Sequence, residues 1–342
     1  MSQLNAVITA VHSYVPEKIL SNEELEQIVD TTNEWIITRT GIKERRILDS
    51  KLATSDMCVP VVEGILEKKN LKLQDIDLII CATATPDHAF PSTANIILDK
   101  IDSKYIRKSD KQSFKPWGYD LSAACSGFLF ALTTGSQFIE TGKYKRVIVL
   151  GADKMSSIVD YEDRKTCIIF GDGAGGVLLE PGSKDIGIID TLLYSDGSGR
   201  DDLYLKAGGS AYPASIETVS RKDHFLFQSG QKVFKRAVTN MSEAICDILS
   251  KNNLKIEDVN YLVPHQANLR IIRTICEKLD MPIEKALITI TNYGNTTNAS
   301  IPLCIHKYED SLHKNDILIL TAFGGGFSWG SMIIKWGYNN KN

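Results

Sequence analysis

The chain has 342 residues, of which 43% are hydrophobic and 24% charged, so it contains enough apolar material for a large folded core. Its formal net charge of −3 argues against a nucleic-acid-binding protein, which usually presents a basic surface. The seven cysteines form no CxxC pair and mostly lie in apolar runs, so neither a disulfide framework nor a metal site is expected. The sequence shows no signal-peptide pattern and no stretch of roughly 20 apolar residues, which predicts a cytoplasmic protein that does not enter the membrane.

Short β-branched runs alternate with helical patterns along the chain. The predicted strands cover residues 4–14, 77–84, 145–152, 174–181, 260–265, 286–290, 316–323 and 331–337. The predicted helices lie near residues 55–69, 92–101, 126–140, 230–250, 268–279 and 299–311. Because several strands are apolar almost throughout, the pattern predicts a layered α/β fold whose sheets are covered on both faces.

The chain also contains an internal repeat. KKNLKLQDIDLII (68–80) matches KNNLKIEDVNYLV (251–263) at a shift of 183 residues, and KRVIVLGA (145–152) matches NDILILTA (315–322) at a shift of 170. The first copy therefore carries 13 extra residues, and the polar segment 99–116 is the candidate insertion. Two landmarks in the same order favour a duplicated fold, with one half at residues 1–182 and the other at residues 183–342.

Cys125 is the candidate nucleophile. It lies in DLSAACSGF, where a predicted strand ends and the 126–140 helix begins. The free N–H groups and the partial positive charge of a helix N-terminus favour a thiolate, and the small neighbouring residues leave room for a substrate. An isolated cysteine is more often a small buried hydrophobe, and the other six cysteines keep that interpretation.

Three further turns follow predicted strands in the second half. His265 lies between a buried strand and an amphipathic helix, where α/β proteins bind ligands. Asn295 lies in a polar turn that the repeat aligns with the turn of Cys125, although such a turn also suits a helix cap. The glycines of FGGGF (323–327) allow close approach of backbone N–H groups, as an oxyanion hole requires, or form a plain flexible turn. A pseudo-two-fold axis between the halves would bring Cys125, His265 and Asn295 together.

Seven motifs, in order along nearly the whole chain, carry a family resemblance. They are TTNEWIITRTGIKERRI (31–47), TATPDHAFPSTAN (83–95), DLSAACSGF (120–128), DRKTCIIFGDGAGG (163–176), VPHQANLRII (263–272), YGNTTNASIP (293–302) and AFGGGFSWG (322–330). With them the chain resembles β-ketoacyl-acyl carrier protein synthase III. The related chalcone-synthase-like and hydroxymethylglutaryl-CoA synthases do not resemble this set, particularly in the strings WIITRTGI and HQANLRII.

The resemblance implies a homodimer with a thiolase-like α/β fold, built from two duplicated halves in an αβαβα arrangement. It also implies a ping-pong, decarboxylative Claisen condensation of an acyl-CoA, expected to be acetyl-CoA, with malonyl-acyl carrier protein. Cys125 would carry the acyl group, and His265 and Asn295 would stabilise the enolate. Backbone N–H groups of Cys125 and Gly325 would bind the oxyanion, and Phe323 would shape the site. No cofactor is implied, because both thioesters are substrates.

The resemblance extends to binding residues. Trp35 and Arg164 would sandwich the CoA adenine, Arg39 would contact the CoA phosphates, and Asn268 would lie beside the CoA tunnel. Phe90 would reach across the dimer into the partner's acyl pocket. A basic patch would dock the acidic carrier protein, and it comprises Lys235, Arg270, Arg273 and Lys278. From the residues alone, Trp35 also suits a core position, and the four basic side chains also suit a solvated surface.

The sequence departs from the family pattern beside the proposed site. Thr297 and Asn298 stand where the family usually has Ser and Ala, and both can change the hydrogen bonds around Asn295. The insertion 99–116 is expected to be an inert surface loop, with a change of primer length as the alternative. The loop 201–216 is of a type that varies with primer specificity. Three alternatives stay open: a secondary-metabolism synthase with a longer or aromatic primer, a Cys-His thioester hydrolase, and a non-catalytic carrier-binding paralogue.

Overall fold

The computed structural model describes residues 4–105 and 116–340. Its strands are β1 (Asn5–Tyr14), β2 (Ile19–Ser21), β3 (Glu44–Arg46), β4 (Leu78–Ala82), β5 (Trp117–Leu121), β6 (Val147–Asp153), β7 (Gly173–Gly182), β8 (Gly187–Ser195), β9 (Leu203–Leu205), β10 (Leu226–Gln228), β11 (Tyr261–Pro264), β12 (Ile317–Gly324) and β13 (Ser328–Lys335). Its α-helices are α1 (Asn22–Glu26), α2 (Asn33–Thr40), α3 (Thr54–Lys69), α4 (Thr93–Tyr105), α5 (Gly127–Glu140), α6 (Ile216–Ser220), α7 (Gly230–Lys251), α8 (Leu269–Lys278), α9 (Ile290–Tyr293) and α10 (Ser300–Tyr308).

Two mixed sheets form the centre of the molecule. The first has the strand order β1-β7-β6-β4-β5, and the second has the order β8-β13-β12-β11. In both sheets the first two pairings from one edge are antiparallel and the next pairing is parallel. Strands β1, β7, β6 and β4 therefore correspond to β8, β13, β12 and β11, respectively. All strands of the first sheet precede residue 183, and all strands of the second sheet follow residue 186. The division into domains at residue 182 stays a prediction.

Several strands are apolar throughout because both faces of their sheet are buried. In β6, Val147 and Val149 point into the core between the sheets, whereas Ile148 and Leu150 face a second core on the outer side. Helices α5 and α10 lie between the sheets, α3 and α4 cover the first sheet, and α7 and α8 cover the second. The predicted αβαβα layering is therefore confirmed.

Some predicted elements are wrong or were missed. Residues 286–290 do not form a strand: Ala286 makes only a single parallel bridge to Leu262, where β5 stands in the first sheet, and α9 begins at Ile290. Strand β8 and the small two-stranded sheets β2–β3 and β9–β10 were not predicted. The proposed insertion 99–116 begins inside α4, and its residues 106–115 lie outside the described residues.

Candidate active site

A cavity of about 1180 Å³ opens where the parallel strands of both sheets end. Its lining includes five residues singled out from the sequence, namely Cys125, His265, Asn295, Phe323 and Gly325. Cys125 comes from the first half of the chain and the other four come from the second. Because equivalent strand ends of the two sheets face one another here, side chains more than 100 residues apart meet around one volume.

Cys125 lies in a tight 3₁₀ turn, Ala124–Ser126, that leads directly into α5. Ala124 has a left-handed backbone with φ of 46°, which costs a residue other than glycine about 1–2 kcal/mol. Such strain is typical of functional turns, because the surrounding structure must hold it in place. On the other side, a Cβ on Gly324 would lie 2.7 Å from the Cys125 backbone nitrogen. Only glycine lets the end of β12 approach the Cys125 turn this closely.

Two serine hydroxyls join the Cys125 turn to the glycine-rich turn 323–327. The Oγ atoms of Ser126 and Ser328 lie 2.7 Å apart, and two carbonyls are alternative acceptors for Ser328 Oγ, that of Ala123 at 3.0 Å and that of Gly325 at 3.3 Å. Both serines are buried. The two segments that would supply oxyanion donors, around Cys125 and Gly325, are therefore fixed relative to each other.

The thiol of Cys125 is less acidic than the sequence suggested. Burial raises its pKa to about 12, the nearby carboxylate of Asp153 adds to that rise, and a backbone N–H acts in the opposite direction. Desolvation therefore opposes the stabilisation of a thiolate that the helix N-terminus was expected to provide. At neutral pH the resting Cys125 is a protonated thiol.

His265 is buried directly after β11, and its backbone N–H donates to the carbonyl of Thr321 at 2.8 Å. Its Nδ1 lies 2.7 Å from the hydroxyl of Ser300, the first residue of α10. Burial lowers the pKa of His265 to about 4. The imidazole is therefore neutral at physiological pH, and with Ser300 as the donor to Nδ1 its proton is on Nε2.

Asn295 is held through its backbone and through its own side chain. Its N–H donates to the Ile169 carbonyl at 2.9 Å, its carbonyl accepts from Gly171 N–H at 3.1 Å, and its Oδ1 accepts from Thr297 N–H at 2.9 Å. The amide oxygen is thereby occupied. The remaining Nδ2 group has no protein acceptor within the described part of the chain, so it is a free donor at the cavity.

Asp153 is a buried carboxylate that the sequence reasoning missed. It ends β6, and its two oxygens accept seven hydrogen bonds, from Thr83, Ala84, Thr85, Thr297 and Asn298. Burial raises its pKa, and these donors oppose that rise. An acidic residue at the end of an otherwise apolar strand, as in KRVIVLGAD, was the signal available in the sequence.

The other end of the cavity is polar and aromatic. Trp35 and Arg39 of α2 line it together with Asn268, which caps α8 and donates from Nδ2 to the Arg39 carbonyl at 3.1 Å. The guanidinium of Arg164 lies 5.2 Å from the Trp35 ring centre and that of Arg39 lies 5.9 Å from it. Arg164 itself is anchored on the Asp30 carbonyl at 2.7 Å. Trp35 is half-buried beneath these cations.

The remaining predicted residues lie outside the catalytic end of the cavity. Phe90 is 86% exposed on the loop after β4. Lys235 of α7 and Arg270, Arg273 and Lys278 of α8 are all exposed, and the two helices pack against each other. Arg270 also lines the cavity and stacks over Phe234 at 5.4 Å. Within residues 4–105 and 116–340, none of these four cations has a carboxylate within 4 Å.

The described ranges contain no cluster of three His, Cys, Asp or Glu residues arranged to hold a metal ion. No helix within them combines the length and the apolar character needed to cross a bilayer.

Two matching mixed sheets, with a cysteine, a histidine and an asparagine converging on one cavity, define a thiolase-like condensing enzyme. Comparisons with known proteins give the family. Family models match two segments, "3-Oxoacyl-[acyl-carrier-protein (ACP)] synthase III" over residues 119–197 and the C-terminal region of the same synthase over residues 249–336.

Similar curated proteins cover the whole chain. Beta-ketoacyl-[acyl-carrier-protein] synthase III 2 of Bacteroides thetaiotaomicron is 48% identical over 342 residues, covering 100% of this chain and 99% of its own length. The corresponding synthase III of Chlorobaculum tepidum is 50% identical over 97% of this chain and 100% of its own. The crystal structure of the Aquifex aeolicus synthase III superposes with a TM-score of 0.85 at 38% identity, covering 97% of this chain and 100% of that one. The chain belongs to the β-ketoacyl-[acyl-carrier-protein] synthase III family.

Proposed function

We propose that this protein condenses an acyl-CoA with malonyl-acyl carrier protein to give 3-oxoacyl-acyl carrier protein and CO₂, the first condensation of fatty acid synthesis. The observation that carries the proposal is the convergence of Cys125, His265 and Asn295 on one cavity. The family membership gives the substrate classes, and the chain covers 99–100% of the length of the relatives cited above.

In the first half-reaction, Cys125 Sγ attacks the thioester carbonyl of acyl-CoA. A new C–S bond forms at Cys125, the bond to the CoA sulfur breaks, and the thiol proton leaves with CoA as its free thiol. Because burial holds the pKa of Cys125 at about 12, the thiol loses its proton only as attack proceeds. Donors at the Cys125 and Gly325 backbones stabilise the oxyanion that forms on the way.

In the second half-reaction, malonyl-acyl carrier protein loses CO₂, and the resulting enolate attacks the acyl group on Cys125. His265 and Asn295 each donate a hydrogen bond to the enolate oxygen, through Nε2–H and Nδ2–H. A neutral imidazole suits this role, and burial keeps His265 neutral by lowering its pKa to about 4. The Cys125 thiolate leaves the condensed product and takes up a proton, which completes the cycle. Phe323 packs on Phe327 at the end of β12 and keeps the site around the departing carboxylate apolar.

We further propose a homodimer, acetyl-CoA as the primer, a cytoplasmic location, and no cofactor beyond the two thioester substrates. In this dimer Phe90, which is 86% exposed, would lie against the partner. Its loop is anchored by Asp87, which accepts from Ser55 N–H at 2.9 Å and from its hydroxyl at 2.6 Å. All seven cysteines are free, which fits a reducing compartment.

The direct test incubates the purified protein with radiolabelled acetyl-CoA, with and without malonyl-acyl carrier protein. We expect label on Cys125 that moves into acetoacetyl-acyl carrier protein when the second substrate is added. Label released as acetate instead would support a hydrolase. Label that attaches only from longer or branched acyl-CoAs would keep the chemistry and change the primer. No label from any acyl-CoA, and no condensation product, would contradict the proposal.

The contact between Arg164 and Trp35 gives a test of CoA binding. If the adenine binds between these side chains, Arg164→Ala should raise the half-saturating concentration of acetyl-CoA about fivefold, because stacking under a guanidinium contributes about 1 kcal/mol. The acylation rate at saturation should stay the same. Arg221→Ala removes an exposed arginine that pairs with Glu217 on α6 and is the matched control. A fall in the saturated rate without a change in half-saturation would contradict this placement.

The unpaired cations on α7 and α8 give a test of carrier docking. The double variant Lys235→Glu/Arg273→Glu should raise the KM for malonyl-acyl carrier protein about tenfold at low salt, and the difference should shrink at 0.5 M NaCl because salt screens exposed charges. Acylation by acetyl-CoA should not change. The control is Lys72→Glu/Lys314→Glu, which makes the same charge change at two exposed positions beside the amino ends of β4 and β12. An equal rise in KM for both double variants would show a nonspecific charge effect.

A further inference from the structure

Asn298 occupies in the second half of the chain the place that Cys125 occupies in the first. Each is the middle residue of a 3₁₀ turn that leads into a central helix, Ala124–Ser126 before α5 and Thr297–Ala299 before α10. The residue preceding each has a left-handed backbone, with φ of 46° at Ala124 and 47° at Thr297. The pseudo-two-fold therefore relates Asn298 to Cys125.

The carboxamide of Asn298 connects two parts of the first half. Its Nδ2 donates to Asp153 Oδ2 at 2.8 Å, and its Oδ1 accepts from the backbone N–H of Phe128 at 3.1 Å. Phe128 is the second residue of α5, so this N–H belongs to the helix's first turn, where helical partners are lacking. Asn298 thus joins the end of β6 to the helix that begins at the nucleophile turn.

Asn298 is closely packed on several sides. Asn298 is 2% exposed. A Cβ on Gly127 would lie 2.6 Å from Asn298 Oδ1, and a Cβ on Gly151 would overlap the Asn298 carbonyl oxygen. Two glycines on separate elements therefore make room for one residue, which stands where the family usually has alanine.

We propose that Asn298 is a positioning residue, whose carboxamide couples Asp153 to the first turn of α5 and so fixes Cys125 relative to the turn of Asn295. The inference rests on the proposed function only in naming Cys125 as the nucleophile. Asn298 and Thr297 both bond to Asp153, and Thr297 N–H also bonds to Asn295 Oδ1, so one network holds both catalytic turns. Without the carboxamide, the first turn of α5 loses its acceptor, and the thiol loses its fixed distance from the thioester carbon.

The test compares Asn298→Ala with Asn252→Ala. Asn252 is a matched control because its Nδ2 also donates to a carboxylate, Asp190, at 2.8 Å, far from the cavity at the end of α7. In single-turnover acylation by acetyl-CoA, we expect Asn298→Ala to lower the saturated rate about tenfold and to leave the half-saturating concentration within twofold, since a small misplacement of reacting groups slows chemistry more than binding. Asn252→Ala should acylate at the parent rate even where its thermal stability falls as much.

A second measurement does not depend on acyl-CoA chemistry. Alkylation of Cys125 by iodoacetamide at pH 8, measured by mass spectrometry of its peptide, should be roughly threefold slower in Asn298→Ala, equivalent to about half a pKa unit. The reason is that the first turn of α5 loses its tie to Asn298, so the backbone N–H that favours the thiolate of Cys125 is held less firmly in place. The exposed Cys246 is the internal reference for the reagent. A folded Asn298→Ala that acylates and alkylates like the parent would overturn the inference. If the parent itself takes no acyl label, the proposed function fails, and the alkylation comparison still decides the role of Asn298.

Discussion

Cys125→Ser should lower both acylation and condensation at least about a thousandfold. A serine hydroxyl is far less acidic than a thiol, and the site offers it no strong base. The neutral His265 has its pKa lowered to about 4 by burial, so it does not take a proton readily at pH 7. Serine is close to cysteine in size, so the strained turn around Ala124 and the start of α5 should fold as before.

The measurement is single-turnover transfer of labelled acetyl groups, detected by the intact mass of the protein and by peptide mapping. Cys246→Ser is the control, because Cys246 is an exposed cysteine on α7, and it should acylate at the parent rate. A Cys125→Ser protein that keeps a tenth or more of the parent acylation rate, or acyl label on another cysteine, would show that Cys125 is not the nucleophile.

His265→Ala should separate the two half-reactions. Acylation by acetyl-CoA should stay measurable, because the oxyanion donors at Cys125 and Gly325 do not involve the imidazole. Decarboxylation of malonyl-acyl carrier protein should fall about 10²- to 10³-fold, the usual effect of removing one preorganised donor from a developing oxyanion. Asn295 would be left as the sole side-chain donor to the enolate.

Release of labelled CO₂ from malonyl-acyl carrier protein and acyl transfer to Cys125 are measured separately on the same preparation. The control is His306→Ala. His306 is a half-buried histidine on α10 that bonds Ser13 at 2.7 Å and does not line the cavity. We expect it to keep both half-reactions. Equal loss of acylation and decarboxylation in His265→Ala would contradict the proposed roles, in which Cys125 carries out acylation and His265 stabilises the enolate.

Several parts of the fold were predictable because they depend on local pattern. The runs KRVIVLGA and NDILILTA form β6 and β12 in equivalent places, since continuous apolar character is what a strand buried on both faces requires. The run at 286–290 has the same character but forms only one bridge, because pairing depends on a neighbouring strand that local sequence does not describe. Strand β8 was missed because its pairing with β13 is likewise a tertiary property.

The candidate site shows the same division. Cys125, His265 and Asn295 were identifiable because each lies in a turn with small or polar neighbours after an apolar run, and the repeat related two of these turns. The rise in the pKa of Cys125 was not predictable from the local sequence, because burial and the charge of Asp153 come from residues distant in sequence. In the local sequence Asp153 is only a polar residue at the end of a strand, and its hydrogen bonds to Thr297 and Asn298 come from the tertiary structure.

The sequence alone therefore determined most of the long strands and helices, the repeat, the family and the candidate residues of the site, since composition, periodicity and motif order are local and additive along the chain. Only the tertiary structure decided the protonation states of the site residues and the hydrogen bonds that join the two halves. The neutral state of His265, the protonated thiol of Cys125 and the connection of Asn298 to Phe128 arise where two sheets bury polar groups against each other. Desolvation and hydrogen-bond geometry depend on which distant groups share that space, and no linear pattern specifies them.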